Sequence, residues 1–509
     1  MSKLSSWFNL IKNNIRTGHS KDAESFSRFL FKNADNKRYL DWGFAAIIIQ
    51  FVIFKLCYPF ADFFADSYTY INAAAHHHNI SFRPIGYSRF LEGIHWVTTS
   101  DTSLTFIQYF IIQAGALTLF FTIRYFYPLR KVISNIMFIV LVFNPANLYI
   151  SNYICSDAVY IGLCLIWFSL LLWIINRPAW IQLILLSGLM FLIFTLRFAA
   201  IFLPAIALFA LLLSNRNLLF KLTGTVLMVL PISLTVQYIK NITAKETGIP
   251  IFSAFGSWMS MNNALHMYPY IKVQDADLPS TDCKELNRIV KQYFNSHAAN
   301  KPYPTLTFDY LWALNSPLKE YQRSVQASKK ISNYFCAWHA VAPVFSQYSN
   351  SLSLQHPAVF AHYYLWPNIK WYCLPPLESF IIYNVGNDTV DSVAIKWFRY
   401  KGERVTCINK TIQATILQPQ PYWFLLVNII CCGALAVVLV KAKRYALPPA
   451  LLRTLLLAGG FWIVNFCFSI YAAPIVFRFE LFPAIVFTAF SLLLIDRLLK
   501  KNTHHSALQ

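Results

Sequence analysis

Stretches of mostly apolar residues, each long enough to cross a lipid bilayer as one helix, recur along this chain of 509 residues. A hydrocarbon core of about 30 Å requires about 20 such residues, at about 1.5 Å per residue. Hydrophobic residues make up 57% of the chain and charged residues only 13%, which excludes an ordinary soluble globular protein. The sequence therefore predicts an all-α, polytopic membrane protein.

The apolar runs predict about ten transmembrane helices. They cover residues 42–59, 102–123, 132–148, 158–175, 181–213 (two helices), 218–238, 423–440, 451–470 and 479–495. The run 181–213 is too long for one helix, so we divide it at Arg197. A charge in mid-membrane is costly, whereas a turn at the interface lets the guanidinium reach water, and Pro204 then begins the returning helix.

The basic residues indicate how the chain is oriented. The formal net charge is +21, and Lys and Arg form short clusters beside the apolar runs, as the positive-inside rule expects. This distribution indicates membrane topology rather than a nucleic-acid partner. It predicts a multi-pass protein of the cell's inner (plasma) membrane with both termini in the cytoplasm.

This topology divides the chain into five parts. They are a cytoplasmic N-terminal segment 1–41, a membrane module 42–238 with a first outer loop 60–100, a large extracytoplasmic loop or domain 239–422, C-terminal membrane helices 423–496 and a cytoplasmic tail 497–509. Juxtamembrane helices are expected in the first outer loop. The 239–422 segment is rich in Trp, Tyr, Pro and His, which favours a packed and mostly helical body over a disordered linker.

Cysteine and histidine usage leaves the metal and disulfide content open. The chain has no zinc-type Cys and His spacing. Cys283, Cys336, Cys373 and Cys407 share the large loop and can pair if it faces an oxidising compartment. His76, His77 and His78 are consecutive, and adjacent residues of a helix point in different directions, so they do not predict a metal site. No cofactor is predicted with certainty, and a divalent metal is compatible with the sequence.

Charged residues that border the spans converge on the outer face of the predicted topology. They are Asp62, Asp66, Arg83, Asp157, Arg197, Arg478 and Glu480. A carboxylate at this interface can act as a base or a metal ligand, and an arginine offers planar, paired donors to phosphate. The combination predicts a substrate that carries a phosphate next to the bond being broken.

Two of these residues have structural alternatives within the first outer loop. Asp66 either carries chemistry or caps a short helix that begins at Ser67. Tyr70, one turn further on, lies on the same helical face as Asp66. Arg83 precedes Pro84, which excludes helix at that position, and it binds either phosphate or a structural partner, Asp62 or Glu92.

The remaining candidates also have structural alternatives. Asp157 stands at the start of the fourth predicted span, where it either caps the helix or takes part in the site. Arg197 and Arg478 either bind phosphate or anchor the spans at the interface.

The order of these residues resembles the GT-C superfamily of membrane glycosyltransferases, which includes protein mannosyltransferase and aminoarabinose transferase relatives. The matching patterns are Asp-Ser-x-x-Tyr-x-x-x-Ala at Asp66, Tyr70 and Ala74, Arg83-Pro84-x-Gly86-Tyr87, Ser156-Asp157 with Tyr160, Leu196-Arg197-Phe198, and Arg478-Phe479 with Pro483. Residues 42–238 match the family's shared module in order and topology. The chain has Ile85 where many relatives have a second proline, and Ser67 where some have a second acid.

The resemblance implies that a sugar is transferred from a polyprenyl-phosphate carrier to a glycan, lipid or protein acceptor, on the extracytoplasmic face and with inversion. Asp66 then matches the catalytic aspartate of the first loop. We assign Arg83, Arg197 and Arg478 to the phosphate, and Tyr70, Tyr87 and Asp157 to substrate binding. No motif of the family falls within residues 239–422.

Two other classes of protein are compatible with the composition. A lipid-linked O-antigen polymerase or ligase also has about ten spans and outer arginines, but its critical residues are expected in the large loop. A transporter of lipid or glycan is less compatible, because transporters place ionisable residues near the bilayer midplane and these spans contain few.

Overall fold

The computed structural model describes residues 24–296, 306–440 and 447–506. Residues 1–23 of the predicted N-terminal segment and 507–509 of the predicted tail lie outside this description. The described chain is helical, and its β-pairing consists of two isolated bridges, Asp62 with Tyr153 and Thr389 with Arg404. The predicted all-α class is confirmed.

The helices divide into a membrane-type first half and a mixed second half. In the first half they are α1 (Phe26–Lys32), α2 (Ala34–Cys57), α3 (Ala65–Ala75), α4 (Gly86–His95), α5 (Asp101–Phe126), α6 (Lys131–Val142), α7 (Pro145–Asn152), α8 (Asp157–Asn176), α9 (Trp180–Leu196), α10 (Leu203–Leu213) and α11 (Leu218–Thr247). In the second half they are α12 (Ala254–Leu265), α13 (Thr281–Ser296), α14 (Asp309–Trp312), α15 (Pro317–Ser328), α16 (Tyr334–Ala340), α17 (Ala342–Gln355), α18 (Pro357–Phe360), α19 (Trp366–Cys373), α20 (Ser392–Phe398), α21 (Lys410–Leu417), α22 (Gln420–Val440), α23 (Pro449–Ala472) and α24 (Phe477–Ser506).

Eight helical stretches within the described ranges are long and apolar enough to cross a membrane. They are α2, α5, α6 with α7, α8, α11, α21 with α22, α23, and α24 as far as Leu499. Helices α9 and α10 are apolar but shorter. The protein is therefore a multi-pass integral membrane protein.

The long apolar run is broken at the predicted position. Helix α9 ends at Leu196, and Arg197 is extended, with φ −149° and ψ 122°. A 3₁₀ turn over Phe198–Phe202 follows, and Pro204 stands in the first turn of α10, where its missing N–H costs no helical hydrogen bond. The break places the Arg197 side chain at the ends of two apolar helices.

Helices α5 and α8 approach each other closely because each has a glycine at the contact. A Cβ on Gly162 would lie 2.5 Å from the Ile111 carbonyl oxygen, and a Cβ on Gly115 would lie 2.5 Å from the Gly162 carbonyl oxygen. Small residues let helix backbones pack tightly where lipid offers no hydrophobic driving force. This contact fixes α8, which begins at Asp157.

The buried apolar residues form two clusters. The membrane cluster joins the long apolar helices and also includes α3, α4 and residues around Phe380 and Tyr383. The second cluster lies within residues 254–364, and Trp258, Tyr321, Phe345 and Tyr348 are among its fully buried side chains. Part of the 239–422 segment thus has a core of its own, and part packs on the membrane helices.

All ten cysteines are free thiols, including the four that the sequence allows to pair, Cys283, Cys336, Cys373 and Cys407. Two of those four belong to different packing environments: Cys283 is buried in the second cluster, whereas Cys407 packs against the membrane cluster.

Candidate active site

A cavity of about 1120 Å³ lies between the two clusters. Both clusters supply its walls, the membrane cluster through α3, α8 and the start of α24, and the second cluster through α12, α14 and α17. Every predicted site residue except Tyr87 lines it: Asp66, Tyr70, Arg83, Asp157, Arg197 and Arg478. Residues from distant parts of the sequence therefore share one space.

Asp66 and Arg83 form an ion pair on one wall of this cavity. Helix α3 begins at Ala65 after the extended Phe64, whose N–H donates to Ser67 Oγ at 3.2 Å. Asp66 stands in the first turn, where the helix dipole favours a carboxylate. Its Oδ1 accepts from Arg83 Nη2 at 2.5 Å, and 19% of the Asp66 side chain is exposed.

This pairing corrects two predicted alternatives. Asp66 does not cap a helix starting at Ser67, because the helix begins one residue before Asp66. Arg83 does not pair with Asp62 or Glu92. The Glu92 carboxylate instead accepts from Arg89 Nη1 at 2.8 Å, and the Asp62 carboxylate accepts from the Asn384 N–H at 2.8 Å.

Aromatic rings of the second cluster hold the other side of Arg83. The guanidinium carbon lies 4.4 Å from the centre of the Phe255 ring and 5.7 Å from that of Trp312. A cation over an aromatic face is stabilised by the ring quadrupole, by about 0.5–2 kcal/mol. Arg83 therefore connects Asp66 on the membrane module to the second cluster.

The glycine of the Arg-Pro-x-Gly-Tyr motif sets how closely this loop approaches α9. A Cβ on Gly86 would lie 2.5 Å from the Thr195 carbonyl oxygen, two residues before Arg197. Tyr87 points away from the cavity, and its hydroxyl donates to Gln108 Oε1 at 2.6 Å. Its ring packs edge-on against Tyr70 at 4.9 Å, so Tyr87 supports Tyr70 from behind.

Tyr70 connects the helix that carries Asp66 to the start of the helix that carries Asp157. Its hydroxyl lies 3.3 Å from Ser156 Oγ, next to Asp157. Burial raises the pKa of Tyr70, so the phenol stays protonated at neutral pH. The side chain supplies a neutral hydroxyl to the cavity wall.

Asp157 is the centre of a second charged group. Its Oδ1 accepts from Arg197 Nη1, its Oδ2 lies 3.6 Å from Arg478 Nη1, and the Cys155 thiol donates to Oδ2 at 2.7 Å. Only 2% of the Asp157 side chain is exposed. Helix α8 begins at Asp157 with Ser156 before it, so the carboxylate faces arginines rather than capping the backbone. One acid between two guanidiniums leaves a net positive charge at the cavity wall.

Backbone hydrogen bonds of Asp62 connect the loop before Asp66 to the turn before Asp157. The Asp62 N–H donates to the Asn152 carbonyl at 2.9 Å, and the Asp62 carbonyl accepts from the Ile154 N–H at 3.0 Å. Burial raises the pKa of the Asp62 carboxyl to about 7, although the Asn384 N–H opposes the shift. Asp62 is therefore a structural clamp between the first outer loop and the turn that joins α7 to α8, and it does not line the cavity.

Several lining residues come from the segment in which the sequence showed no motif. They include Glu378, Asp309, Asn263, Trp312 and Phe255. Glu378 has a left-handed backbone, φ 48°, and its pKa is raised by burial, with Arg478 opposing the shift and Asp309 adding to it. In the sequence, the feature that could have indicated Glu378 is its position as a lone acid after Pro375 and Pro376 in an otherwise apolar segment. The others carry no such signal, since their placement depends on the packing of the second cluster.

Among the described residues, no group of three or more His, Cys, Asp or Glu side chains is arranged to hold a metal ion. His76 lies at the end of α3, where its Nδ1 is 2.9 Å from the Asn72 carbonyl oxygen. Of the acids that line the cavity, Asp66 and Asp157 are engaged with arginines, and Glu480 accepts from Asn465 Nδ2 at 3.0 Å. The metal requirement stays an open prediction.

No protein-family model, curated protein or solved structure matches this chain. The chemistry of the cavity follows from its side chains. Arg197 and Arg478 supply donors for an anion, Arg83 is engaged with Asp66 and two aromatic rings, and Asp66 supplies a partly exposed carboxylate. Ile201 lines the cavity and is exposed beside the apolar helix α10, whereas Trp312 and Asp309 line it and are exposed beside the second cluster.

Proposed function

We propose that this protein is a GT-C-type membrane glycosyltransferase. It moves a sugar from a polyprenyl-phosphate carrier to a hydroxyl of a glycan, lipid or protein acceptor. The observation that carries the proposal is the single cavity in which Asp66 faces the same space as Arg83, Arg197 and Arg478.

The arginines suit a lipid phosphate as the leaving group. Asp157 neutralises only part of the charge of Arg197 and Arg478, so an anion is attracted to that wall. A guanidinium donates two parallel hydrogen bonds to two phosphate oxygens. Its electrostatic stabilisation of the charge is stronger in a site that contains little water. A phosphate stabilised in this way leaves without a protonating acid, so the reaction needs only one carboxylate, as the base. Asp66 stands with Arg83 and not between the two arginines assigned to the phosphate.

The membrane side of the cavity suits the carrier chain. Ile201, Phe202 and Phe468 line it, and the last two rings stack with their centres 4.6 Å apart. Ile201 is exposed in the 3₁₀ turn just before α10. An isoprenoid chain placed along this edge keeps its apolar groups in lipid while its phosphate reaches Arg197.

Asp66 is the base of the proposed reaction. Arg83 contacts Oδ1, so we assign proton abstraction to Oδ2. As the acceptor oxygen attacks the anomeric carbon, its proton passes to Asp66 and the bond from that carbon to the phosphate oxygen breaks. The electron pair of the broken bond stays on the phosphate, beside the arginines. A single displacement of this kind inverts the anomeric carbon.

The proposal includes a topology. Helices α9 and α10 join the eight long apolar stretches to make ten spans, with both termini in the cytoplasm. The cavity and the second cluster then face the extracytoplasmic side of the plasma membrane, where a polyprenyl-linked donor and an acceptor would meet. This orientation rests on the positive-inside distribution of Lys and Arg.

A lipid-linked O-antigen polymerase or ligase is the competing proposal. It is favoured by Glu378 and Asp309, carboxylates of the large segment that line the same cavity. In that case Glu378 rather than Asp66 carries the reaction.

The decisive experiment compares Asp66→Asn with Glu378→Gln in protein reconstituted into liposomes. Polyprenyl-phosphate-linked hexoses and pentoses serve as donors, and release of polyprenyl phosphate is measured with a membrane extract as acceptor. We expect Asp66→Asn to lower the rate about 10²–10⁴-fold, the usual contribution of a general base. Asp388→Asn is the control, because Asp388 pairs with Lys410 on the surface. Unchanged activity in Asp66→Asn overturns the proposal, and loss only in Glu378→Gln supports the competitor.

A further inference from the structure

One wall of the cavity is polar but uncharged. It is built by α12 and α17, which pack together in the second cluster. The polar side chains that line the cavity there are Ser260, Asn263, Ser349, Asn350 and Ser353, and α12 also contributes the apolar Phe255 and Met259. This wall differs in chemistry from the arginine wall, so it is suited to a different part of the reacting system.

Asn263 presents a hydrogen-bond acceptor that the protein leaves unused. Only 4% of the residue is exposed, and its Nδ2 donates to the carbonyl oxygens of Tyr471 at 3.3 Å and Ala472 at 3.1 Å. Those two acceptors determine which end of the amide is nitrogen. Its buried Oδ1 has no hydrogen-bond partner among the described residues. A buried acceptor of this kind is completed by a donor, such as a ligand hydroxyl.

Hydroxyl groups continue the wall beside Asn263. Ser260 Oγ and Ser349 Oγ lie 3.0 Å apart, and each is also within reach of a carbonyl of its own helix. A serine hydroxyl both donates and accepts, so this pair can bind groups that do the same. Sugar hydroxyls have that property, whereas a phosphate only accepts at neutral pH.

An exposed aromatic ring completes the arrangement. Trp312 lines the cavity and is partly exposed, although its neighbours Phe255 and Trp338 hold it at 6.2 Å and 6.1 Å between ring centres. The exposed part of the indole, beside the Arg83 guanidinium at 5.7 Å from its ring centre, offers an apolar surface to the C–H face of a pyranose ring. Asp309 and Glu378, which line the same space, are further acceptors for hydroxyl groups.

We propose that the acceptor is a carbohydrate and that Asn263, Ser349 and Trp312 bind one of its sugar rings. This inference rests on the proposed glycosyl transfer and names its acceptor class. A lipid acceptor would call for an apolar wall here. A peptide acceptor would call for backbone groups that pair with an extended chain, whereas α12 and α17 offer side chains only.

The test measures binding rather than transfer. Purified protein in nanodiscs is titrated with maltotriose, mannotriose and chitotriose, and separately with a serine- and threonine-rich peptide, while tryptophan fluorescence and hydrogen exchange of α12 and α17 are followed. We expect at least one trisaccharide to bind and to protect both helices. Asn263→Leu, Ser349→Ala and Trp312→Ala are each expected to weaken that binding about tenfold or more.

Asn262→Leu is the matched control. Asn262 is the neighbour of Asn263 on α12, is buried, and also has an unpartnered Oδ1, but it does not line the cavity. We expect this variant to change trisaccharide binding less than twofold. Equal losses in Asn262→Leu and Asn263→Leu overturn the assignment. So does binding of the peptide in place of the sugars, or the absence of binding by all three sugars.

A parallel titration with undecaprenyl phosphate separates this inference from the proposed function. Arg478→Gln is expected to weaken binding of the lipid phosphate and to leave trisaccharide binding unchanged. If undecaprenyl phosphate does not bind the wild-type protein while a trisaccharide does, the proposed function fails and the carbohydrate site stands. If the lipid binds and no trisaccharide does, only the carbohydrate site fails.

Discussion

The cavity contains two groups that each combine an acid with arginine, and they differ in burial and in charge balance. The Asp66–Arg83 pair has one acid for one base and is partly exposed. Asp157 is almost fully buried and holds both Arg197 and Arg478. The first group is neutral as a pair, whereas the second retains a positive charge.

This difference indicates different roles for two aspartates that the sequence alone cannot separate. A buried acid between two cations is strongly tied to its partners, and its removal leaves charges in a medium that solvates them poorly. Asp157 is therefore expected to position the arginines. Asp66 has one partner and access to the cavity, so it can exchange a proton with a substrate. The following experiments test this contrast.

Asp157→Asn is expected to have the largest effect on stability. Loss of the carboxylate leaves Arg197 and Arg478 close together without an anion, at a cost of about 3–5 kcal/mol. Asp66→Asn breaks a partly exposed pair and is expected to cost about 1 kcal/mol. Thermal unfolding in detergent, followed by intrinsic fluorescence, gives the comparison. Similar losses in the two variants would contradict the contrast between the groups.

Gly86→Ala tests the contact that spaces the two groups. The new methyl group would lie 2.5 Å from the Thr195 carbonyl, so either the Arg83 turn or the end of α9 must move. We expect a loss of about 1–3 kcal/mol, which is typical of overpacking, together with slower transfer. Gly93→Ala is the matched control, because Gly93 lies in the same helix and a Cβ there meets no atom within 4 Å. Full activity in Gly86→Ala would show that the spacing is not needed.

Arginine-to-lysine variants separate phosphate binding from the support of Asp66. Lysine keeps the charge and loses the planar, paired donors. We expect Arg478→Lys to weaken binding of polyprenyl phosphate about tenfold, or about 1.4 kcal/mol. Arg83→Lys is expected to lower kcat and to change the Kd for polyprenyl phosphate less than about threefold, because Arg83 is engaged with Asp66 and the rings. The reverse ranking of the two Kd values would assign the phosphate to Arg83.

The clamp at Asp62 predicts a dependence of stability on pH. The native carboxyl has a pKa of about 7, above the value of 3.8 for an unperturbed Asp. The folded state thus binds this proton more tightly than the unfolded chain, so the contribution to stability is greatest in acid, falls as pH rises from 3.8 to about 7, and levels off above that. Asp62→Asn mimics the protonated form. We expect the Tm of Asp62→Asn minus that of the wild type to increase between about pH 5 and pH 8. A difference that does not change with pH would exclude the Asp62 carboxyl as the source of the pH dependence.

Hydropathy and charge predicted much of the membrane portion correctly, because lipid allows few alternatives. The long apolar helices and the break at Arg197 follow from the cost of placing a charge in hydrocarbon. The order of the motifs also led to the residues that line the cavity. The partner of Arg83 could not be predicted, since it depends on how the turn at Pro84 folds back over α3. Asn263 and Trp312 could not be predicted either, because the packing of the second cluster sets their direction.

Exposed residues line the cavity on two sides, with Ile201 beside the membrane helices and Trp312 beside the second cluster. Two substrates that enter from different sides can bind in either order. For the proposed transferase, this implies a ternary complex with no compulsory order of binding. Initial rates measured with both substrates varied should then give intersecting reciprocal plots, and the spent lipid phosphate should compete with the donor but not with the acceptor.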